Sequence, residues 1–223
     1  MARSWANLVT LGLVAGLAPC PAMAGEGAQA TPDAAHGLTV ALQLMQSNQP
    51  TLAAAIFDRM AKAGDGDAQF NLALLFDTGL GVPQNDREAI YWAWRARLAG
   101  VAQARSLLTK LAPQTTPALR KDVSDRLLAD LQPRILAGEG RAMLEQSVVL
   151  AELLEKPDVE GAYVWQTLAA SLGTPNAATA RDATLRLIAP DKRAAAQDRA
   201  MAQLKSLCEG GSLAGSPLCA ALF

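Results

Sequence analysis

Three short stretches carry residue types that could do chemistry. Gly79-Leu-Gly81, inside DTGLGVPQNDREAIYW (77–92), looks like the start of a loop that cradles phosphate. Asp65-Gly-Asp67 has the alternating carboxylates of a calcium loop. Cys208 and Cys219 flank EGGSLAGSPL, and the chain's one histidine is His36. The first two do not complete their motifs. A dinucleotide loop needs a third glycine and a P-loop needs Gly-Lys-Ser/Thr, and both must follow a strand. Gly79 instead ends an amphipathic helical pattern, so the two glycines read as a reversal between helices. The calcium reading lacks the later ligands and the closing Glu. One histidine and no clustered carboxylates supply no zinc ligand set, so neither cofactor nor metal is expected. Ser-x-x-Lys, Lys-Thr-Gly and Gly-x-Ser-x-Gly are absent, which excludes the penicillin-recognising serine set and the nucleophile elbow. Distant helices can still assemble carboxylates in a cleft. A hydrolase acting on cell-wall or β-lactam-like material therefore stays open as an alternative.

The cysteine reading depends on where the chain resides. Residues 1–24 comprise a short positive start, an apolar run LVTLGLVAGLA and a small-residue end, APCPAMA. This is the pattern of a secretory signal peptide cleaved after Ala24. Its apolar core of about 11 residues is shorter than the roughly 20 needed to span a bilayer. A lipid anchor on Cys20 is disfavoured because Pro19 stands where a small residue is needed. Cleavage removes Cys20 and leaves an even pair. In an oxidising compartment, Cys208 and Cys219 around a Gly/Ser/Pro loop are expected to form a disulfide. A nucleophilic thiol would need a base, and His36 lies far away in sequence. The chain is thus expected to be periplasmic or secreted.

The remaining chain is rich in Ala, Leu and other helix formers and poor in β-branched residues. The full chain carries 20 Lys+Arg against 21 Asp+Glu and so offers no basic excess for nucleic acid, and no stretch after the leader is apolar and long enough to cross a membrane. It also repeats itself. Ala89, Trp92, Ala96 and Gly100 recur as Ala162, Trp165, Ala169 and Gly173, all shifted by 73. Gly64-Asp-Gly-Asp-Ala68 recurs as Gly138-Glu-Gly-Arg-Ala142, and LLTKLAP as TLRLIAP. A weaker copy places Ala53, Ile56, Met60 and Gly64 in the same four places. The unit is about 75 residues, two helix pairs, present nearly twice.

At 100° per residue, Ala89, Trp92, Ala93, Ala96 and Gly100 share one helix face. Small residues there admit a close neighbour, and Trp92 fills the space between pairs. Ala68, Leu72, Leu75 and Phe76 form the inward stripe of the preceding helix. Asn85 or Asp86 caps the second helix, and Gly100 suits its end. One such hairpin cannot bury its face alone, so hairpins must stack.

The stretch from Ala68 to Gly100 resembles a SEL-one-like repeat (SLR), a relative of the tetratricopeptide repeat. Ala68, Leu72, Phe76, Gly79, Gly81, Val82, Ala89, Trp92, Ala96 and Gly100 match its pattern. Ala73, Phe76 and Arg97 depart from the glycine, tyrosine and second alanine of the family. Ala162 to Gly173 matches the second helix, whereas its first helix, about 141–154, lacks the Gly-x-Gly-Val turn. The resemblance implies an all-α, right-handed α/α solenoid of four to five helix hairpins. It also implies a non-catalytic adaptor that presents a curved surface to a protein or peptide partner. A structural subunit of an export or polysaccharide assembly is the further alternative. The expected organisation is a leader (1–24), a flexible mature N-terminus (25–35), a solenoid (36–207, clearest over 50–105 and 138–180) and a disulfide loop and tail (208–223). Opposite the small-residue face of the 86–99 helix lie Tyr91, Trp94, Arg95 and Leu98, with Tyr163 and Gln166 near comparable places in the second copy. They either pack against the next hairpin or line an open partner groove.

Overall fold

The structure is a computed structural model that describes residues 32–210, 213–214 and 216–222; the leader lies outside the described residues. Eleven α-helices and no strand occur among them. In chain order they are α1 (Pro32–Gln46), α2 (Pro50–Lys62), α3 (Gly66–Thr78), α4 (Asp86–Ala99), α5 (Ala102–Leu111), α6 (Pro117–Leu136), α7 (Gly140–Val148), α8 (Val159–Ser171), α9 (Ala177–Leu187), α10 (Pro190–Gly210) and α11 (Pro217–Leu222). From α1 to α5 each helix packs against its sequence neighbour, as do α6 to α9. Beyond these, α4 also packs on α6, and α8 carries both α9 and α10. The chain is an all-α solenoid of stacked helix hairpins.

Alanine sets the stacking distance. Ala53, Ala61, Ala68, Ala89, Ala93, Ala96, Ala104, Ala142, Ala162 and Ala169 are all fully buried. Each carries a single methyl group, so neighbouring helices approach closely along these positions. The larger buried side chains, Phe57, Leu72, Leu75, Ile90, Leu127 and Leu168, fill the spaces between. Trp92 is buried, whereas its counterpart Trp165 is only partly so. Each hairpin also starts close against its own end. A Cβ on Gly66 would lie 2.9 Å from the Ala99 Cβ, and one on Gly140 would meet Thr174 and Leu172.

The turn between α3 and α4 is a tight joint. Asn85 caps α4 by accepting from the Glu88 N–H at 3.2 Å, and Asp65 caps α3 by accepting from the Ala68 N–H at 2.7 Å. Gly79 closes α3 in the left-handed conformation at φ 68°, its N–H donating to the Leu75 carbonyl. Gly81, at φ 76°, has a second constraint. A Cβ there would meet the Pro50 carbonyl and lie 2.9 Å from the Thr51 nitrogen, at the start of α2. The glycine pair thus turns the chain and docks the turn on the preceding hairpin.

The second copy reaches the same arrangement differently. Where the first has a thirteen-residue α3, the second has nine residues of α7 followed by five of π-helix, Val149–Leu153. The chain then leaves in an extended conformation at Leu154 (φ −60°, ψ 146°), and Asp158 caps α8 through the Gly161 N–H at 2.8 Å. A widened helical turn followed by extended chain replaces the missing Gly-x-Gly-Val.

Two ends differ from the sequence reading. α1 begins at Pro32, inside the stretch read as flexible, because Pro32 and Asp33 suit a first helical turn. The tail read as loop contains α11, whose start is capped by the Ser216 hydroxyl accepting from the Cys219 N–H at 3.2 Å; Ser-Pro is a helix-start signal. Cys208 and Cys219 form a disulfide with Cα atoms 5.6 Å apart. It ties α11 to α10, and the buried Leu213 and Cys219 join the main core.

Two outcomes follow in denaturant unfolding. Gly81→Ala is expected to lose about 3 kcal/mol through strain and a backbone clash, whereas Gly79→Ala loses about 1 kcal/mol, mainly through strain, with a tight contact to the Gln84 side chain 3.2 Å away. Reduction of Cys208–Cys219 is expected to lower stability by about 2–3 kcal/mol, because it closes a short loop.

Candidate partner-binding surface

The face of α4 singled out by sequence meets α6. Tyr91 and Trp94 are only 4% and 8% exposed, and Tyr163 and Leu98 are buried as well. These aromatic residues pack between hairpins and do not line an open groove, because α6 and α10 follow closely enough to cover them. Tyr163 packs with Ile188 and Ala196 in a small separate cluster. Arg95 is the one member of the set that stays partly open, with its side chain 26% exposed.

What covers Tyr91 is polar. Its hydroxyl donates to Asp130 Oδ2, and Arg95 Nη1 donates to the Tyr91 oxygen at 3.3 Å and pairs with Asp130 at 3.4 Å. The Arg126 guanidinium lies over the Tyr91 ring, 3.5 Å from its centre, in a cation–π contact. The same guanidinium donates to Glu88 Oε1 at 2.6 Å, and Arg87 pairs with Asp122 at 2.9 Å. α4 also reaches the second copy: Arg97 pairs with Glu152 at 3.0 Å, and Arg141 donates to the Leu98 carbonyl at 3.1 Å. Charged links of this kind stabilise by only about 0.2–1 kcal/mol each at a surface, but they fix register and orientation. Burial, followed by the hydrogen bond to Asp130, raises the Tyr91 pKa above its usual value near 10, so the phenol remains protonated and donating at neutral pH.

The residues completing this seam, Glu88, Arg126 and Asp130, were not found by sequence reasoning. Their partners lie 35 to 39 positions away in sequence, and α6 was legible only as an amphipathic helix. No local spacing carries such a signal.

Beside the seam, a cleft of about 430 Å3 opens between the first turns of α6 and residues 154–155. Pro117, Ala118 and Leu154 give it an apolar lining, and Lys121 and Asp125 pair across one helical turn at 2.6 Å. Arg120 and Glu155 also line it, and neither side chain has an ion-pair partner among the described residues.

The chemistry-bearing stretches have other employment. Gly81 faces the Pro50 carbonyl, leaving no space for a phosphate there, and the Asp65 carboxylate is used as a helix cap. Among the described residues no three His, Cys, Asp or Glu side chains gather as a metal site, and no helix is long and apolar enough to cross a membrane.

One comparison with known proteins falls on the α3–α4 hairpin. The family model described as Sel1 repeat matches residues 66–101, which span α3, the glycine turn and α4. Residues 66–101 thus form a Sel1 repeat. Among solved structures, the chain is similar to a protective antigen of uropathogenic Escherichia coli strains that displays an SLR fold, at 18% identity and a TM-score of 0.34. The likeness covers 87% of this chain and 49% of that one, so the chain spans about half the length of the structure it matches. No curated protein matches it. The Sel1 repeat at 66–101 has its structural counterpart in α7 and α8, where the π-turn stands in for the glycine turn.

Tyr91 gives a pH test with a definite sign. Its pKa is raised in the folded state, so the unfolded chain loses this proton first as pH rises. The stabilisation it provides is present below pH 10 and is lost as pH climbs through the folded-state pKa. Tyr91→Phe is expected to flatten the alkaline fall of the melting temperature relative to wild type. Trp94→Ser, by contrast, is expected to cost about 3–5 kcal/mol in denaturant unfolding at neutral pH, as removal of a buried aromatic side chain does.

Proposed function

We propose that the chain is a non-catalytic adaptor of the cell envelope that presents its stacked helices to a protein or peptide partner. The Sel1 repeat at 66–101 carries this reading, since Sel1-like repeats are protein-interaction scaffolds. The seam between α4 and α6 supports it by holding successive hairpins in fixed register, which a binding surface spread over several helices requires. The presented surface is the one formed by the start of α6 and the turn after α7, where Pro117, Ala118 and Glu155 stay open while Tyr91, Trp94 and Leu98 of α4 are covered.

Residues 1–24 act in this reading as the export leader, with cleavage after Ala24 and without lipidation of Cys20. The remainder divides into a short mature N-terminus, the solenoid, and a C-terminal end closed by a disulfide. Cys208–Cys219 favours an oxidising compartment, because thiols are kept reduced in the cytosol. The likeness to the Escherichia coli antigen adds no weight at its low TM-score.

Two measurements test the proposal. N-terminal sequencing of the protein recovered from the periplasm or medium is expected to begin at Gly25; recovery of the intact leader in the cytosol contradicts export. Affinity capture with the mature chain from its own envelope extract is expected to enrich a partner protein in stoichiometric amounts. Enrichment of nothing, together with hydrolysis of peptidoglycan or a chromogenic β-lactam by the pure protein, would overturn the adaptor reading.

A further inference from the structure

We propose that the cleft between α6 and the turn after α7 recognises an extended peptide segment in which an acidic and a basic side chain flank an apolar one. The inference rests on the adaptor reading and names the chemistry of its site.

The cleft exists for a local reason. In the first copy, the glycine turn folds back and docks on the start of α2. In the second, the π-turn ends in extended Leu154 and sends Leu154 and Glu155 alongside the start of α6. The resulting space of about 430 Å3 falls within the usual range of ligand pockets, roughly 300–1,000 Å3. A bulky apolar side chain with its adjoining backbone would fill it.

The charges select the ligand. Lys121 and Asp125 satisfy each other at 2.6 Å, which leaves Arg120 and Glu155 as the charges without ion partners on the cleft. One is positive and one negative, so the site favours neither a phosphate nor a polyanion. It suits a segment that brings a carboxylate to Arg120 and an ammonium or guanidinium to Glu155, with an apolar group against Pro117, Ala118 and Leu154. Opposite charges, one from α6 and one from the turn after α7, also favour one direction of the segment.

The test is a titration of the mature chain with capped pentapeptides in which Asp and Lys are separated by one to three leucines, in both orders. Matched peptides carrying Asn and Gln serve as neutral controls, and binding is followed by calorimetry and amide chemical shifts. One order of the charged peptide is expected to bind more tightly than its neutral control, with shifts at Ala118 and Leu154. Arg120→Glu and Glu155→Lys are each expected to weaken it about fivefold, in line with a partly exposed ion pair. The double charge reversal, R120E with E155K, is expected to prefer the opposite order. R120Q and E155Q give the same direction of loss where a reversal perturbs folding. Equal binding of charged and neutral peptides, or an unchanged order preference in the double variant, overturns the proposal. Envelope capture repeated with the double variant separates the two readings. An undiminished partner leaves the adaptor standing and defeats the cleft assignment, whereas no partner for the wild type defeats both.

Discussion

The fold depends on how closely one hairpin's backbone can approach the next. Gly81 sits against the Pro50 carbonyl at the start of α2, a contact that any side chain would block. Fully buried alanines continue the same close approach along the helices. A hairpin with one apolar face is unstable alone, because the entropy of ordering it exceeds what a single face can bury. Close stacking converts several such faces into one continuous core, which here runs from Ala41 to Cys219.

Where α4 meets α6, the joint changes character. Ion pairs and a cation–π contact surround the buried Tyr91, and an apolar-only interface would not specify which side chain opposes which. The polar set adds little stability by itself but has one satisfied arrangement. It also pairs Arg87, Glu88, Arg95 and Arg97 of α4, whereas Arg120 at the α6 start and Glu155 after the π-turn carry no ion pair among the described residues. The two copies therefore differ at this point: the glycine turn docks on α2, whereas the turn after α7 borders a cleft.

Much of the architecture was legible in the sequence because its determinants are local. The 73-residue shift of Ala89, Trp92, Ala96 and Gly100, the Asn85 cap and the Gly79–Gly81 reversal all act within one hairpin, and spacing alone reveals them. The cysteine pair was legible from the same kind of local pattern. The π-turn was not, since Val149–Leu153 reads as an ordinary helical continuation. The start of α11 was overlooked although Ser216-Pro217 signals it. The binding face was the least legible element. Tyr91 and Trp94 have the composition of an interface, yet whether they are covered depends on α6, whose residues Arg126 and Asp130 carry no motif. Long-range pairing decides exposure, and exposure decides which residues remain available to a partner.

Hydrogen exchange along the chain, measured with and without the captured partner, tests the central claim most directly. The account predicts slowed exchange at residues 117–125 and 152–158, with α10 and α11 unchanged. Slowing confined to α1–α2 or to α10–α11, with the start of α6 unaffected, would contradict it.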